Sequence, residues 1–157
     1  MKANRILLLM LSATMLFSAC TKKYYTEEII VDGVQLKYYD FNITNKDWSK
    51  IEVLDNGFIL SVKLDVPAIT ESVVNKGSVM ISRQLMDDNN NIYWTPLPVI
   101  RAEAENYGTD DVILYSTYLD YEWTKGTVYV YFTATDFFVE DDKSYWPNMV
   151  LRVAVME

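Results

Sequence analysis

The sequence predicts an all-β protein in which two antiparallel sheets pack face to face. Apolar residues recur with a period of two from about residue 29 onward. The segments that contain them are short, are rich in β-branched and aromatic residues, and are separated by Asn, Asp, Gly or Pro about every ten positions. Only one short segment has a helical pattern, so the chain does not alternate strands with helices as a parallel sheet requires.

Three segments carry the clearest strand pattern, because four apolar side chains in each of them alternate with polar or more variable ones. The shared faces are Phe58, Leu60, Val62 and Leu64; Val128, Val130, Phe132 and Ala134; and Met149, Leu151, Val153 and Val155. Weaker patterns occur at 34–43, 78–85, 92–97, 99–104 and 112–121, which brings the total to about eight strands. This number of strands predicts an antiparallel β-sandwich, Ig-like or jelly-roll-like, as a single domain over 29–157.

The segments between the strands have the chemistry of turns. Residues 87–91 are Asp and Asn, which tolerate left-handed backbone and hydrogen-bond to their own main chain, so they predict a hairpin loop. Lys125 with Gly126 and residues 106–108 predict two further turns. Because proline cannot donate to a ladder, the strand near Pro96 and Pro98 is expected at a sheet edge.

One short helix is predicted at 70–76. Thr70 is the expected N-cap, and Gly77 is the expected stop at the other end.

The N-terminus has the features of a secretory signal peptide. Lys2 and Arg5 precede an apolar segment at 6–17, which is shorter than the roughly 20 residues needed to cross a bilayer as a helix. The sequence Leu-Phe-Ser-Ala-Cys at 16–20 resembles the lipobox of bacterial lipoproteins, in which small residues precede a cysteine. Phe17 departs from the usual small or branched residue at its position.

The lipobox resemblance implies that Cys20 carries a diacylglycerol after residues 1–19 are removed, and that 20–28 form a lipidated tether to the domain. The acyl chains would be the membrane partner. Thr21 is not the Asp that retains enteric lipoproteins at the inner membrane, so the resemblance favours the outer membrane, with the periplasmic and surface leaflets both open. The alternative is an ordinary signal peptide that is cleaved nearby and leaves Cys20 as a free thiol.

A wider resemblance, to small Bacteroidetes lipoproteins of unknown function, spans most of the mature chain. It is carried by loose hydrophobic motifs and transfers no functional residue. These motifs are Trp48, the segments 66–70, 77–81 and 94–98, and the closing Leu-Arg-Val-Ala-Val at 151–155.

Charge and composition exclude several classes of function. The full chain has 14 basic and 22 acidic side chains, and removal of Lys2 and Arg5 leaves 12 against 22, a net charge near −10. Such a charge opposes nucleic acid as a partner. The chain has no histidine and one cysteine, which removes the imidazole bases and the common zinc ligand sets.

No catalytic motif is found, and we predict a non-enzymatic protein with no catalytic residue, no metal and no cofactor. Asp87, Asn89 and Asn91 have the spacing that opens a calcium loop, but Ile92 and Pro98 stand where that loop needs Gly and Glu. A hairpin turn is the better interpretation. Paired carboxylates could serve a glycosidase, yet an acidic chain always offers such pairs.

Aromatic residues are the remaining signal, because tyrosine and tryptophan rings stack on sugars and are favoured at binding surfaces. Trp48 and Trp94 are expected in the core. The candidate ligand-binding residues are Trp123, Tyr145, Trp146, Tyr129 and Tyr131.

The leading functional hypothesis is a lipid-anchored envelope domain with a binding or structural role and an unidentified partner. A carbohydrate-binding accessory lipoprotein, using rings from loops 121–126 and 137–147, is the first alternative. A fimbrial or adhesin-type assembly subunit, which would use an exposed edge strand, is the second.

Membrane attachment is predicted to depend on Cys20, because it is the only acylation site. Cys20→Ala should abolish lipid labelling and move the protein from the membrane fraction to the soluble fraction. Fractionation with radiolabelled palmitate measures both effects, and unchanged membrane association in the variant would contradict the lipid anchor.

Overall fold

The computed structural model describes residues 26–31, 33–54, 57–106, 112–135, 143 and 146–157. Ten strands and one short helix account for most of them. The strands are β1 (Thr26–Val31), β2 (Val34–Ile43), β3 (Ser49–Leu54), β4 (Gly57–Asp65), β5 (Ser78–Met86), β6 (Ile92–Pro96), β7 (Val99–Asn106), β8 (Val112–Thr124), β9 (Thr127–Thr135) and β10 (Met149–Met156), and the helix α1 (Glu71–Lys76) lies between β4 and β5.

The strands form two five-stranded antiparallel sheets, which confirms the predicted all-β sandwich. Sheet A has the order β1-β2-β10-β5-β6, and sheet B has the order β3-β4-β9-β8-β7. The last strand of the chain thus lies at the centre of sheet A, and β9 lies at the centre of sheet B. The chain crosses between the sheets after β2, after β4, after β6 and after β9.

The core lies between the inner faces of the two sheets, and the three predicted apolar faces all contribute to it. All twelve side chains of the predicted faces on β4, β9 and β10 are buried. The β4–β9 register places Leu60 opposite Phe132 and Val62 opposite Val130, so the two inner faces coincide across the ladder. The alternation in the sequence therefore reports the packing of the central strands correctly.

Trp48 closes the core where the chain passes from sheet A to sheet B. Its side chain is only 1% exposed, as predicted, and its ring centroid lies 6.1 Å from that of Phe132. The indole nitrogen donates a hydrogen bond of 2.7 Å to the carbonyl oxygen of Pro147. Because a buried indole N–H needs a partner, this bond fixes the segment that leads into β10.

The helix α1 begins and ends as the sequence predicts. The Thr70 hydroxyl accepts a hydrogen bond of 3.2 Å from the backbone nitrogen of Val73, and the backbone nitrogen of Gly77 donates to the Val73 carbonyl at 2.8 Å. Val73 is fully buried and attaches the helix to the core. Among the described residues, no helix has the length and apolarity needed to span a membrane.

Two of the predicted turns are hairpins in the structure. Asp87 connects β5 to β6, and its carboxylate accepts hydrogen bonds from the backbone nitrogens of Asn89 and Asn91 at 2.9 and 2.8 Å. The side-chain amide of Asn91 donates to the same carboxylate, and these bonds hold the pKa of Asp87 below its usual value. Gly126 connects β8 to β9 with φ of +74°, a left-handed conformation that suits glycine. Residues 107 and 108 of the third predicted turn lie outside the described residues.

Two strands, β1 and β3, were not predicted. β1 begins at Thr26, so residues 26–28 belong to sheet A although they fall within the predicted tether 20–28. β3 is irregular, because its register against β4 shifts between Lys50 and Glu52. Both are edge strands. β6, the strand that contains Pro96, is also at an edge, as expected.

The stability of the sandwich should depend on the inner face of β4. Leu60 is completely buried, and its replacement by Ala should lower the free energy of unfolding by about 2 to 5 kcal/mol. Ser61 lies on the outer face, and its replacement by Ala should lower the free energy of unfolding only slightly. Urea denaturation of the two variants compares them, and equal losses would show that the register of β4 is wrong.

Candidate functional site

Three tyrosines project from adjacent strands onto the outer face of sheet B. Tyr129 and Tyr131 alternate along β9 with the buried Val128 and Val130, so both point away from the core as predicted. Tyr118 extends from the neighbouring strand β8 on the same side, since its partner across the ladder, Thr133, is also outward. Tyr118 and Tyr129 are each a little over one-third exposed.

Two carboxylates lie among these rings. The register places Asp120 opposite Tyr131 and Glu122 opposite Tyr129. The Tyr131 hydroxyl donates to Glu122 Oε2 at 3.2 Å, and the Tyr118 hydroxyl donates to Asp120 Oδ2 at 3.4 Å. We call the five residues Tyr118, Asp120, Glu122, Tyr129 and Tyr131 the tyrosine face.

The carboxylates change the acidity of the phenols beside them. Desolvation raises the pKa of Tyr131, and the negative charge of Glu122 and its hydrogen bond raise it further. The pKa of Tyr121, on the opposite side of β8, is raised first by burial and then by the charge of Asp120. The raised pKa keeps the Tyr131 hydroxyl protonated at neutral pH, so that it can donate to Glu122.

The tyrosine face continues onto β4 as a polar surface. Ser61 lies opposite Tyr131, and Lys63 lies opposite Tyr129 with its amine 3.2 Å from a carboxylate oxygen of Asp65. This side of the sheet combines ring surfaces, hydroxyls, carboxylates and an amine, which are the groups that bind a ligand rich in hydroxyl groups.

Trp123 lies at the border of the tyrosine face. It points to the inner side of β8, where it is half-buried against the core. β7 begins at Val99 opposite Leu119, so residues 120–124 of β8 extend past the end of that neighbour. A shallow depression of about 560 Å³ follows this free edge, lined by Pro98, Tyr121 and Trp123 together with Asp120 and Glu122 of the tyrosine face.

The structure brings three of the five predicted ligand-binding residues to one corner of sheet B. Trp123, Tyr129 and Tyr131 all lie near the β8–β9 hairpin, with the tryptophan on one side of the sheet and the tyrosines on the other. Tyr145 lies outside the described residues, as does the lipidation residue Cys20.

Two tryptophans do not lie where the sequence led us to expect them. Trp146, expected at a binding loop, is only 6% exposed and belongs to the core, with Lys143 Nζ 4.7 Å from its ring centroid. Trp94, expected in the core, lies on the outer face of sheet A. Both predictions of burial failed for the same reason, because the exposure of an indole ring depends on which strand or loop packs over it.

Sequence reasoning missed a cluster on the outer face of sheet A. The Arg152 guanidinium stacks on Trp94 at 4.2 Å and lies 5.5 Å from the Tyr38 ring centroid. Two hydrogen bonds of 2.7 Å join Arg152 to the carboxylate of Asp40. The bond to Asp40 is the first cause of the raised pKa of Arg152. The alternation of β10 placed Arg152 on the outer face, but the sequence did not identify its partners.

The charged groups of this second cluster are paired with each other and with the Trp94 ring. The carboxylate occupies one edge of the guanidinium, and the Trp94 ring uses one of its faces for Arg152. The tyrosine face presents the rings of Tyr118 and Tyr129 and the carboxylate of Glu122 at the surface. We therefore take the tyrosine face and the adjoining depression as the candidate functional site.

Within the described residues, no three acidic or cysteine side chains are grouped so that they could hold a metal ion. The acidic pair Asp110 and Asp111, and the acidic cluster at 140–142, lie outside the described residues.

Comparisons of this chain with protein-family models, with curated proteins and with solved structures found no match.

The raised pKa of Tyr131 should depend in part on Glu122. Replacement of Glu122 by Gln removes the negative charge beside the phenol, so the pKa of Tyr131 should fall toward the ordinary tyrosine value. A pH titration of ¹³C-labelled tyrosine by NMR, with the Tyr131 signal assigned from Tyr131→Phe, measures the change. Glu71→Gln removes the same charge near Lys125, and a similar fall in that control would exclude a local effect.

Proposed function

We propose that this protein is a lipid-anchored, non-enzymatic module of the bacterial cell envelope that binds carbohydrate through the tyrosine face. The observation that carries the proposal is the placement of Tyr118, Tyr129 and Tyr131 on one outer sheet surface with Asp120 and Glu122 between them. The rings offer flat apolar surface, and the carboxylates accept hydrogen bonds from sugar hydroxyls.

The flatness of the site supports an extended ligand. An outer sheet face has no walls that would enclose a small molecule, and the depression beside Trp123 is open. A polymer could lie across β8 and β9 and meet the tyrosine rings in succession. A small metabolite would find few groups converging on it here.

The charge of the chain supports a neutral glycan. The mature chain would carry a net charge near −10, from 12 basic and 22 acidic side chains, which repels polyanions. The tyrosine face adds two carboxylates at the site itself. Sugar hydroxyls are good donors to carboxylates, whereas a sulfated or phosphorylated polymer would be repelled.

The anchor proposal rests on the segment at 16–20 and agrees with the position of β1. Five residues, 21–25, separate Cys20 from the first strand, and they can span at most about 18 Å. The chain enters the domain through sheet A, whereas the tyrosine face belongs to sheet B. The binding surface is therefore on the sheet opposite the one that the anchor joins.

A second candidate is an assembly subunit, and β1 is the observation that favours it. β1 is the first strand of the domain, lies at the edge of sheet A and pairs with β2. Its release would uncover the edge of β2, which another chain could complete by strand addition. Cross-links from β1 to a second protein in the native envelope would favour this function over glycan binding.

Glycan binding can be tested on the detergent-solubilised lipoprotein with a panel of neutral polysaccharides. Quenching of tryptophan fluorescence, with Trp123 as the reporter nearest the site, and affinity electrophoresis in polymer-containing gels measure binding. Tyr129→Ala should weaken binding about tenfold, because a stacking ring is lost from the centre of the site. Tyr129→Phe should retain most of the affinity, since the ring remains.

Glu122→Gln removes an acceptor and a charge from the same surface and should weaken binding as well. Arg152→Gln, on the outer face of sheet A, serves as the distant control and should leave binding unchanged. No binding by any neutral polysaccharide, or equal binding by Tyr129→Ala and the parent protein, would refute the assignment of this site.

A further inference from the structure

Polar side chains occupy the space between the two sheets on the side of β5 and β7. Arg83 shares the inner face of β5 with the buried Val79 and Ile81. Arg101 and Glu103 are on the inner face of β7, because they lie opposite Thr117 and Tyr115, which point inward. The inner faces of β4, β9 and β10, in contrast, are apolar throughout. We call Arg83, Arg101 and Glu103 the arginine cluster.

Arg83 has an unsatisfied buried donor. Its Nε is shielded from solvent and has no hydrogen-bond partner. No carboxylate of the described residues lies within ion-pair distance of its guanidinium, although the side chain is held between two sheets. Leaving a charged donor unpaired costs more free energy than leaving a neutral one, and native proteins rarely accept this without a role for the group.

Arg101 adds a second positive charge close to Arg83. Arg101 lies close enough for its charge to repel Arg83, and its Nε is 3.5 Å from Glu103 Oε1. Burial and then this repulsion lower the pKa of Arg83, and Glu103 offsets only part of the effect. Among the side chains that the structure describes, Glu103 is the one carboxylate beside these two guanidinium groups, and it pairs with Arg101.

Solvent reaches one end of the cluster. The side chains of Arg101 and Glu103 are 38% and 33% exposed, so this part of the inner face is not sealed inside the core. A guanidinium presents parallel N–H groups that match the two oxygens of a carboxylate or sulfate. An oxyanion bound by the two guanidinium groups would balance the second positive charge.

We infer that the arginine cluster is a binding site for a single oxyanion group, a carboxylate or a sulfate, held by Arg83 and Arg101 between the two sheets. It is separate from the tyrosine face, which lies on the outer side of sheet B. One anionic group, as in an acidic monosaccharide, can pair locally with the two arginines, whereas a densely charged polymer would be repelled by the protein as a whole.

The inference can be tested by NMR on the ¹⁵N-labelled lipoprotein in neutral detergent micelles. The probes are sodium glucuronate and sodium sulfate, each exchanged against sodium chloride at constant ionic strength. The Nε–H signal of Arg83, assigned from its loss in Arg83→Gln, should shift and saturate with one or both probes. Saturation by glucuronate identifies a carboxylate site, saturation by sulfate a sulfate site, and saturation by both a general oxyanion site.

Two variants test whether Arg83 and Arg101 together are responsible for oxyanion binding. Arg101→Gln should weaken binding about tenfold or more, because one charge-assisted contact is lost. Arg152→Gln removes the same charge from the outer face of sheet A and should leave the affinity unchanged. The inference is overturned if neither probe produces a saturable shift, if Arg101→Gln binds as tightly as the parent, or if Arg152→Gln weakens binding equally.

Discussion

The two-sheet arrangement depends on the contacts of the buried Trp48 side chain. It lies on the connection between β2 and β3, where the chain leaves one sheet for the other, and it touches Phe132 at the centre of sheet B. Its indole hydrogen bond to Pro147 reaches the segment just before β10, the central strand of sheet A. One side chain therefore links the middle strands of both sheets, and both strands lie far from Trp48 in the sequence.

The position of the tyrosine face follows from the packing of the core. The inner side chains of β9 are held by β4 on one side and by β8 on the other. A shift of one residue in this register would expose Val130 and bury Tyr131, so the hydrophobic core selects which face carries the tyrosines. Gly57 supports the same register, because a Cβ at this position would overlap the carbonyl oxygen of Ala134. The candidate site is thus built on rigid central strands and not on loops.

The sequence predicted the central strands well because each of them buries one face. In β4, β9 and β10 the demand for apolar side chains at alternate positions leaves a period of two that is visible in the sequence alone. β1 has two glutamates and no strict alternation, and β3 has a bulge between Lys50 and Glu52, so their assignment depends on partner strands that a sequence does not display. Edge strands have only one neighbour, and their side chains are under weaker selection for burial.

The candidate sites were predicted only in part, for a related reason. Tyr129 and Tyr131 could be placed because they belong to a clearly alternating strand. Trp94, Trp146 and Arg83 could not, because their surroundings are decided by contacts between sheets. An arginine on a strand pattern looks like an outward residue, and only the observed register shows that Arg83 points inward.

The hairpin of β1 and β2 also has a mechanical consequence. The strand nearest the N-terminus is an edge strand whose first pair, Thr26 with Tyr39, lies farthest from the turn. A load that pulled Thr26 outward from the sheet edge would open the ladder one pair at a time, and the other nine strands would keep their own pairings. The six residues released would add about 20 Å of extended chain between the point of loading and the folded domain. β1 would then detach from β2 under tension before the load reaches the core of the domain.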